Sequence, residues 1–322
     1  MSTTPDILTP HGCTPTGVFA AAAGSPTPVQ ITTGAGSGMP LGVGGVLDTV
    51  RVAECIEFMA ALPNACVDAV IADLPYGTTA CAWDAVIPFD SLWGAVRRVL
   101  KPCGAVVLTA SQPFTTDLIA SNRKWFKYCW VWEKKATGVF LAKRRPMQGH
   151  EDIAVFGLGA ITYNPQMEDR TPEEMSRMGD IKRTFSHGKN DSEHYRECKL
   201  AEDYDPRKKY PKTVIRFPSV NSNSGQRLHP TQKPIEMMRY LVRTYTNPGD
   251  VVLDMCCGSG TTLLAAKQEG RHYIGCDREA KYVEIARGRL ASEFFMGGGG
   301  GSETSHRHSE SGNEPSSPTK AV

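Results

Sequence analysis

The sequence lacks the features that mark membrane proteins, secreted proteins and zinc proteins. No apolar run approaches the ~18 residues that a membrane-spanning helix needs. The short apolar run over Gly17–Gly24 has no basic residues before it, so a secretory signal is not expected. The ten cysteines include no Cys-x-x-Cys pair, which argues against a zinc site or a disulfide framework and favours reduced thiols. We therefore predict a soluble, cytoplasmic protein that binds no metal.

A strong excess of one charge is also missing. The 36 basic residues (Lys and Arg) nearly balance the 34 acidic ones, so the net charge is only +2 and any nucleic-acid surface must be a local patch. One such patch lies between residues 123 and 145, where eight basic residues accompany a single acidic one, Glu133. It is either a solvated face above buried aromatic residues or, as we favour, a surface that contacts phosphates. The predicted DNA-binding residues are Lys134, Lys135, Lys143, Arg144 and Arg145.

Both ends of the chain are poor in residues that could form a core. Residues 1–45 are rich in Gly, Pro, Thr and Ser, and residues 296–322 contain a glycine run, so both are predicted to be disordered tails. Between them, strand and helix signals alternate. This alternation predicts an α/β fold with a mostly parallel sheet and helices on both faces.

Local patterns divide the folded part of the chain. Buried strands are predicted over Val67–Ala72 and Val251–Asp254, and a Lys-Pro-Cys-Gly turn is predicted at residues 101–104. Periodicity disappears between Leu158 and Arg216, and a structureless insertion of this length is usually functional or mobile. The predicted divisions are residues 46–157, an insertion over residues 158–220, and residues 221–295.

A glycine-containing loop follows the strand that ends at Asp254. In Asp254-Met-Cys-Cys-Gly258-Ser-Gly260-Thr-Thr the glycines let a ligand approach the backbone, and the next helix offers free amides. The following strand ends at Asp277, 19 positions after Gly258, where a carboxylate can bind ribose hydroxyls. A dinucleotide-binding fold is the plain alternative. However, Leu263 stands where that motif has its third glycine, so the loop suits an adenosyl ligand without phosphates.

The same loop resembles the Asp-Pro-Phe-x-Gly-Ser-Gly-Thr-Thr loop that holds S-adenosylmethionine in the DNA amino-methyltransferases, with Met255 and Cys256 in place of Pro and Phe. Upstream, residues 229–234 (His-Pro-Thr-Gln-Lys-Pro) match the family's segment that cradles the methionine end. Ala53-Glu54-Cys55 resembles a Gly-Asp-Cys segment that contacts the cofactor's adenine ring. The resemblance implies S-adenosylmethionine as the cofactor. The predicted cofactor-binding residues are Glu54, Cys55, Asp73, Thr231, Gln232, Lys233, Asp254, Cys256, Gly258, Ser259, Gly260, Thr261, Thr262 and Asp277.

A second motif, Asp73-Leu74-Pro75-Tyr76, follows the strand over Val67–Ala72 and resembles the Asp-Pro-Pro-Tyr motif of the same family. The exocyclic amine of adenine is a poor nucleophile because its lone pair is delocalised into the ring. Acceptors on its two N–H groups, predicted to be Asp73 and the Leu74 carbonyl, can draw the nitrogen toward tetrahedral geometry. Pro75 stiffens the turn, and Tyr76 can stack on a flipped-out base, worth roughly 1–3 kcal/mol. A plain strand-ending turn is the alternative for this short motif.

The order of the motifs is also informative. The catalytic motif comes first, the insertion next and the cofactor loop last, which resembles the permuted β subgroup of this family, where the insertion recognises the target sequence. The resemblance runs from about Thr49 to Leu290 and implies a Rossmann-like class I methyltransferase fold. In family terms, the segment from Thr109 to Phe114 would help to wall the base pocket.

We therefore predict a site-specific enzyme that methylates N6 of a flipped-out adenine in double-stranded DNA, with Asp73, Leu74, Pro75 and Tyr76 as catalytic residues. Methylation of cytosine N4 is the nearest alternative, but the cytosine enzymes of this family usually have Ser where this chain has Asp73. RNA, a protein glutamine, and an inactive DNA-binding relative remain further alternatives. The sequence gives neither the recognition site nor a restriction partner, and it leaves a homodimer open.

Two cysteine pairs suggest other chemistry. Pro102-Cys103 resembles the nucleophilic Pro-Cys of the cytosine ring-carbon methyltransferases, but it lies in a predicted turn and no matching acidic motif is evident. We interpret it as a turn. We interpret Cys256-Cys257 as packing beside the cofactor loop and not as a redox pair.

Overall fold

The computed structural model describes residues 45–78, 84–137, 142–177, 205–220, 228–229 and 231–292. Apart from Gly45, the two predicted tails lie outside these residues, and so do residues 178–204 of the predicted insertion. No helix within the described ranges is long and apolar enough to cross a bilayer. The same ranges contain no group of three or more His, Cys, Asp or Glu side chains arranged to hold a metal ion.

Strands and helices alternate along the described residues. The strands are β1 (Thr49–Val52), β2 (Val67–Asp73), β3 (Leu100–Ala110), β4 (Phe126–Thr137), β5 (Gln148–Phe156), β6 (Glu168–Asp169), β7 (Lys208–Lys209), β8 (Val214–Arg216), β9 (Val251–Asp254) and β10 (His272–Asp277). The helices are α1 (Cys55–Ala61), α2 (Phe89–Val99), α3 (Phe114–Ser121), α4 (Pro172–Arg177), α5 (Ile235–Tyr245), α6 (Thr261–Gln268) and α7 (Ala280–Ser292).

Eight of these strands form one sheet in the order β1-β10-β9-β2-β3-β5-β4-β8. The first five strands in this order are parallel, β5 is antiparallel to both of its neighbours, and β8 is parallel to β4. At the centre β2 and β9 lie side by side, with Ala69 opposite Val252. From this pair the chain continues to β3 on one side and to β10 on the other. The carboxyl ends of β2 and β9 therefore flank a crevice of the kind in which open α/β sheets bind ligands.

Helices cover both faces of the sheet. On one face, Met59 of α1 and Leu92 of α2 belong to a buried cluster. On the other face, Leu241 of α5, Leu263 of α6 and Val283 of α7 belong to a second cluster. Burial on both faces explains why β2 and β9 are almost continuous apolar runs. The predicted α/β class and the Rossmann-like methyltransferase arrangement are confirmed.

Two local predictions near β3 are wrong. The predicted turn at residues 101–104 belongs to β3, which begins at Leu100. Proline is tolerated there because the ladder is irregular: Val67 pairs with Leu100 but Ala69 pairs with Ala105, so the intervening residues of β3 bulge out of register. Helix α3 was not predicted, because its eight residues are too few to give a clear helical pattern.

The predicted insertion contains secondary structure that its sequence does not reveal. β6 pairs with β7, and the Lys209 ammonium joins this pair to Glu174 of α4 at 2.9 Å. Thr171 and Glu174 cap α4 reciprocally. β8 pairs with β4 and so belongs to the main sheet. The expectation of a structureless segment is wrong for these elements, since pieces of two to six residues held by ion pairs and caps leave no periodic signal.

Among the described residues, the cysteines follow the prediction with one exception. Free thiols are present at Cys55, Cys66, Cys129, Cys256, Cys257 and Cys276. Cys103 is disulfide-bonded, so the expectation of reduced thiols is wrong at this position.

Candidate active site

One cavity of about 710 Å³ opens at the carboxyl ends of β2 and β9. Its volume falls within the range of about 300–1,000 Å³ that is usual for small-molecule sites. The predicted site residues that line it are Glu54, Cys55, Asp73, Leu74, Pro75, Tyr76, Lys134, Thr231, Gln232, Lys233, Asp254, Cys256, Gly258, Ser259, Thr261, Thr262 and Asp277. The fold therefore brings the two motif groups, which are far apart in sequence, into a single space.

At the end of β2, the Asp73 carboxylate accepts three hydrogen bonds. The Tyr76 hydroxyl donates to its Oδ1 at 2.8 Å, and the Thr109 hydroxyl donates to the same oxygen. Lys233 Nζ donates to Oδ2 at 2.6 Å. Both oxygens of the Asp73 carboxylate are therefore occupied, Oδ1 by two hydroxyl donors and Oδ2 by the ammonium.

The Tyr76 ring is partly covered by neighbouring side chains. Phe114 stacks against it with ring centroids 5.2 Å apart, and Lys233 Nζ lies 5.9 Å from its centroid. Burial raises the pKa of Tyr76 well above its usual value, and the negative charge of Asp73 adds to this rise. The hydroxyl is thus a neutral donor at physiological pH.

Lys233 is buried between two carboxylates. Besides Asp73, Glu151 Oε2 of β5 lies 3.5 Å from its ammonium, and Lys134 is paired with the other oxygen of Glu151. Burial lowers the pKa of Lys233, but the negative charges of Asp73 and Glu151 raise it by more, so that the pKa lies above its ordinary value. The cavity therefore contains a chain of alternating charges that runs from Asp73 to Lys134.

Glycine geometry shapes the loop after β9. Gly258 has φ +48° and Gly260 has φ +75°, both in the left-handed region that favours glycine. A Cβ on Gly260 would lie 2.7 Å from Ala286 Cβ of α7, so this glycine lets α7 pack against the loop. Gly260 does not line the cavity, unlike Gly258. It acts through the packing of the loop, and its predicted contact with a cofactor remains a prediction.

Two carboxylates fix this loop from opposite sides. Asp277 Oδ2 accepts from the Gly258 amide at 2.9 Å, and its Oδ1 accepts from the Glu279 amide at 2.9 Å. Asp254 is buried and accepts from the Cys256 amide at 3.1 Å. Burial raises the pKa of Asp254 to about 7, so this carboxyl is only partly ionised at neutral pH.

The remaining predicted contacts have structural partners of their own. Glu54 accepts from the Ile56 amide at 2.8 Å and so caps α1. Gln232 Oε1 accepts from the Leu228 amide at 2.8 Å. Both side chains line the cavity while they stabilise local structure.

Several lining residues were missed by the sequence prediction. Asp84 accepts from the amides of Gly77 and Thr78, both at 2.9 Å, and so closes the loop that follows the catalytic motif. His229 belongs to the segment over residues 229–234 but was not predicted as a site residue. Its ring contacts the Tyr282 ring, with the two centroids 4.2 Å apart. Glu151, Trp132, Ser111, Glu279 and Tyr282 also line the cavity. Ser111 belongs to the Thr109–Phe114 segment that was predicted to help wall the base pocket. No local motif marks the other four, since each depends on which strand or helix end the fold brings to the crevice.

Comparison with known proteins supplies the family. Residues 67–288 match the DNA methylase family of N6 and N4 methyltransferases, and this range is more than half of the chain. The chain belongs to this DNA methylase family. The type II methyltransferase M1.MboII of Moraxella bovis is 27% identical over 256 residues, which are 74% of this chain and 95% of that protein.

Two solved structures share the fold of this methylase. The M1.HpyAVI complex with S-adenosylmethionine superposes with a TM-score of 0.50 at 23% identity, covering 75% of this chain and 98% of the other. The cytosine-N4-specific PvuII DNA methyltransferase superposes with a TM-score of 0.51 at 16% identity, covering 74% and 85%. The predicted resemblance to the DNA amino-methyltransferases is confirmed by the family match.

Methyltransferases of this family use S-adenosylmethionine, which confirms the predicted cofactor. The cavity of this methylase fits such a ligand. S-adenosylmethionine carries positive charges on its sulfur and its amine, and Asp73, Asp254 and Asp277 all line the cavity. Gly258 has a positive φ, a conformation that favours glycine, and glycine has no side chain. The loop backbone is therefore uncovered where it lines the cavity.

The five predicted DNA-binding residues of the methylase fall into two groups. Lys135, Lys143, Arg144 and Arg145 are exposed beside the β4–β5 connection. Lys134 is largely buried in the cavity, paired with Glu151, and its ammonium lies 5.3 Å from the centroid of the Trp132 ring. The placement of Lys134 on an exposed phosphate-binding face is therefore corrected: alternation along β4 turns its side chain inward.

Neither Pro102-Cys103 nor Cys256-Cys257 has the surroundings of a nucleophilic thiol. Cys103 is near the start of β3, whereas the cavity lies beyond the other end of that strand, at Ser111. Burial raises the pKa of Cys257, and a hydrogen bond with Cys55 together with burial raises that of Cys256. Both thiols are therefore kept protonated, as packing residues would be.

Proposed function

We propose that this methylase transfers a methyl group from S-adenosylmethionine to N6 of a flipped-out adenine in double-stranded DNA. The observation that carries the proposal is that Asp73 and the loop after Asp254 line one cavity at adjacent strand ends. The family establishes the reaction class. The choice of adenine depends on the carboxylate at position 73, because cytosine enzymes of the family usually have Ser there.

In the proposed mechanism, bound S-adenosylmethionine supplies a methyl group on a positively charged sulfur. Asp73 accepts one N–H of the target amine on Oδ2, and the Leu74 carbonyl accepts the other. These two acceptors free the nitrogen lone pair for in-line attack. The amine loses one proton in the reaction, and Asp73 is the carboxylate placed to receive it. Tyr76 stacks on the base while its hydroxyl stabilises Asp73.

The cofactor is proposed to contact both strand ends. Asp277 would accept from ribose hydroxyls with the lone pairs that its two backbone donors leave free. Asp254 would face a positive group of the cofactor, which compensates the cost of burying its charge. The same space is lined by Thr231, Gln232, Lys233, Ser259, Thr261 and Thr262.

DNA contact is proposed for Lys135, Lys143, Arg144 and Arg145, which are exposed cations. Sequence choice is proposed for residues 158–220, with the rest of the chain responsible for chemistry. Exchanging residues 158–213 with those of a relative that has another target tests this division, and the exchange ends before β8 so that the main sheet is kept. The chimera should methylate the relative's site; an active chimera that keeps the original site contradicts the proposal.

The product decides the base. DNA treated with the methylase and S-adenosylmethionine is digested to nucleosides and measured by mass spectrometry. We expect N6-methyladenine. N4-methylcytosine would overturn the choice of base while leaving the fold and cofactor site intact, and cofactor binding without any methylated nucleoside would support the inactive DNA-binding alternative.

A further inference from the structure

Lys233 obstructs the proposed path of the target base in two ways. Its ammonium donates to Asp73 Oδ2 at 2.6 Å, the carboxylate that is proposed to accept from the target amine. The same ammonium lies over the Tyr76 ring, 5.9 Å from the centroid. Phe114 also stacks against that ring, so two side chains already cover Tyr76 where a base would stack.

Glu151 offers this ammonium a second position. Its Oε2 lies 3.5 Å from Lys233 Nζ, is buried, and has no hydrogen-bond partner among the described residues. Its other oxygen is held by Lys134, whose ammonium rests over Trp132. Glu151 is therefore anchored on one side and presents an unused acceptor to Lys233 on the other.

The electrostatics favour a transfer of Lys233 over its loss. An unpaired buried ammonium costs several kcal/mol, and in this cavity it would also repel the positive sulfur of the cofactor. A shift of less than about 1 Å toward Glu151 would turn the 3.5 Å contact into a normal hydrogen bond. No proton needs to move, since the lysine is an ammonium in both positions.

We propose that Glu151 is a positioning residue of the methyl transfer. It takes over the Lys233 ammonium when the target base enters, and this frees Asp73 Oδ2 for the base. The inference rests on the proposed function, because it requires a base amine at Asp73. Glu151 thereby has a role in the reaction, although no motif marks it and the proposed chemistry does not otherwise use its carboxylate.

The first test is Glu151→Gln, which keeps the shape and removes the charge. Lys233 then stays on Asp73, so we expect kcat to fall by about 10- to 100-fold, as for other losses of positioning. Cofactor affinity should stay within about threefold of wild type, because Lys233 remains paired. The matched control is Glu133→Gln, which breaks an exposed ion pair with Arg216 and should leave kcat within about twofold.

A second measurement separates positioning from structural support. In a Lys233→Met background, which removes the group through which Glu151 acts, Glu151→Gln should cost less than about threefold, since coupled residues are not additive. If Glu151 only supported the fold through Lys134, its replacement would lower Tm and cost the same in both backgrounds. That result, or an unchanged kcat in Glu151→Gln, would overturn the inference.

Base entry can be followed without chemistry. When 2-aminopurine stands at the target position of a duplex, a rise in its fluorescence reports that the base has flipped out. Glu151→Gln should reduce this rise. The double variant Glu151→Gln/Lys233→Met should give the same rise as Lys233→Met alone. This readout keeps the two proposals apart. A wild-type product of N4-methylcytosine would refute the choice of adenine, yet the ratio between wild type and Glu151→Gln would still decide the role of Glu151. A wild type that flips the base but yields no product would refute the proposed function alone.

Discussion

The two strand ends that meet in the cavity differ in what they present. After β2, the cavity is lined by charged side chains that contact one another, with Asp73, Lys233 and Glu151 at their centre. After β9, it is lined by a loop whose backbone is set by Gly258 and Gly260 and is tied down by Asp277. Charges that can be rearranged suit a reacting amine, whereas a fixed backbone suits a cofactor that must bind in one pose. Substitutions at the first end should therefore change the rate, and those at the second should change affinity.

The largest effect is expected for Asp73→Ala. It removes the acceptor that is proposed to act on the target amine, so kcat should fall by about 10²- to 10³-fold, the scale of losing an electrostatic group at a reacting centre. Cofactor affinity, measured by calorimetry, should change by only a few-fold. Asp73→Asn is the companion variant, since it keeps the shape and should be nearly as slow. Full activity in either variant would refute the proposed mechanism.

The converse is expected for Gly258→Leu. A side chain at φ +48° adds strain of about 1–3 kcal/mol and projects from the loop that lines the cavity, so cofactor affinity should fall by at least about 100-fold. Gly249→Leu is the matched control, because Gly249 also has a positive φ but does not line the cavity. It should lower Tm and leave cofactor affinity unchanged. Equal cofactor affinity in Gly258→Leu and wild type would remove the loop from the cofactor site.

A smaller loss of rate is expected for Tyr76→Ala. Base stacking worth about 1–3 kcal/mol is lost, which corresponds to roughly 5- to 150-fold in kcat/KM. Asp73 keeps its Thr109 and Lys233 partners, so the variant should remain more active than Asp73→Ala. Tyr76→Phe tests the hydroxyl separately, since it keeps the ring and removes the hydroxyl's hydrogen-bond contacts with Asp73 and Thr109. If Tyr76→Ala is slower than Asp73→Ala, stacking outweighs the carboxylate and the ranking is wrong.

Asp254 should make cofactor binding depend on pH. Its pKa is raised to about 7 in the free protein, and a cation beside it favours the ionised form. Binding then releases a proton below pH 7, so affinity should increase as pH rises from about 5.5 to 7, approaching tenfold per pH unit, and should level off above. Calorimetry in two buffers of different ionisation enthalpy measures the released proton. The dependence should disappear in Asp254→Asn; a pH-independent affinity in wild type would separate Asp254 from the cofactor's charge.

The smallest effect concerns a surface outside the cavity. Replacing both Arg144 and Arg145 by Gln should lower the slope of log K against log salt by about 1.8, since each phosphate contact contributes about 0.9. The loss should be similar for target and non-target DNA, and kcat at saturating DNA should stay near wild type. An unchanged slope would mean that these exposed arginines are only a solvated face.

The two motif groups could be predicted because each lies at the end of a strand with a strong local signal. Val67–Asp73 and Val251–Asp254 are apolar runs that end in Asp, and the fold class follows from their alternation with helices. Parallel strands place such ends at one edge of a sheet, so a shared site follows once β2 and β9 are neighbours.

The charge chain could not be predicted from the sequence. Lys233 and Asp73 are 160 positions apart, and Glu151 lies on β5, an antiparallel strand whose beginning, not its end, reaches the cavity. Ion-pair partners leave no mark on local composition. For this reason Lys134 was assigned to the DNA surface together with Lys135. The two are consecutive residues of β4, and because side chains alternate between the faces of a strand, Lys134 is largely buried whereas Lys135 is exposed.

The central pairing of β2 with β9 also constrains how the protein is made. The ribosome delivers β2 early and β9 about 180 residues later, so the buried residues of β2 must wait for their neighbour through most of synthesis. During that interval β2 is an open edge, with the tendency of such edges to pair with other chains. The cavity exists only once Val252 and Leu253 have docked. We therefore expect an incomplete chain that ends before β9 to present Asp73 without the loop after Asp254 and to be inactive.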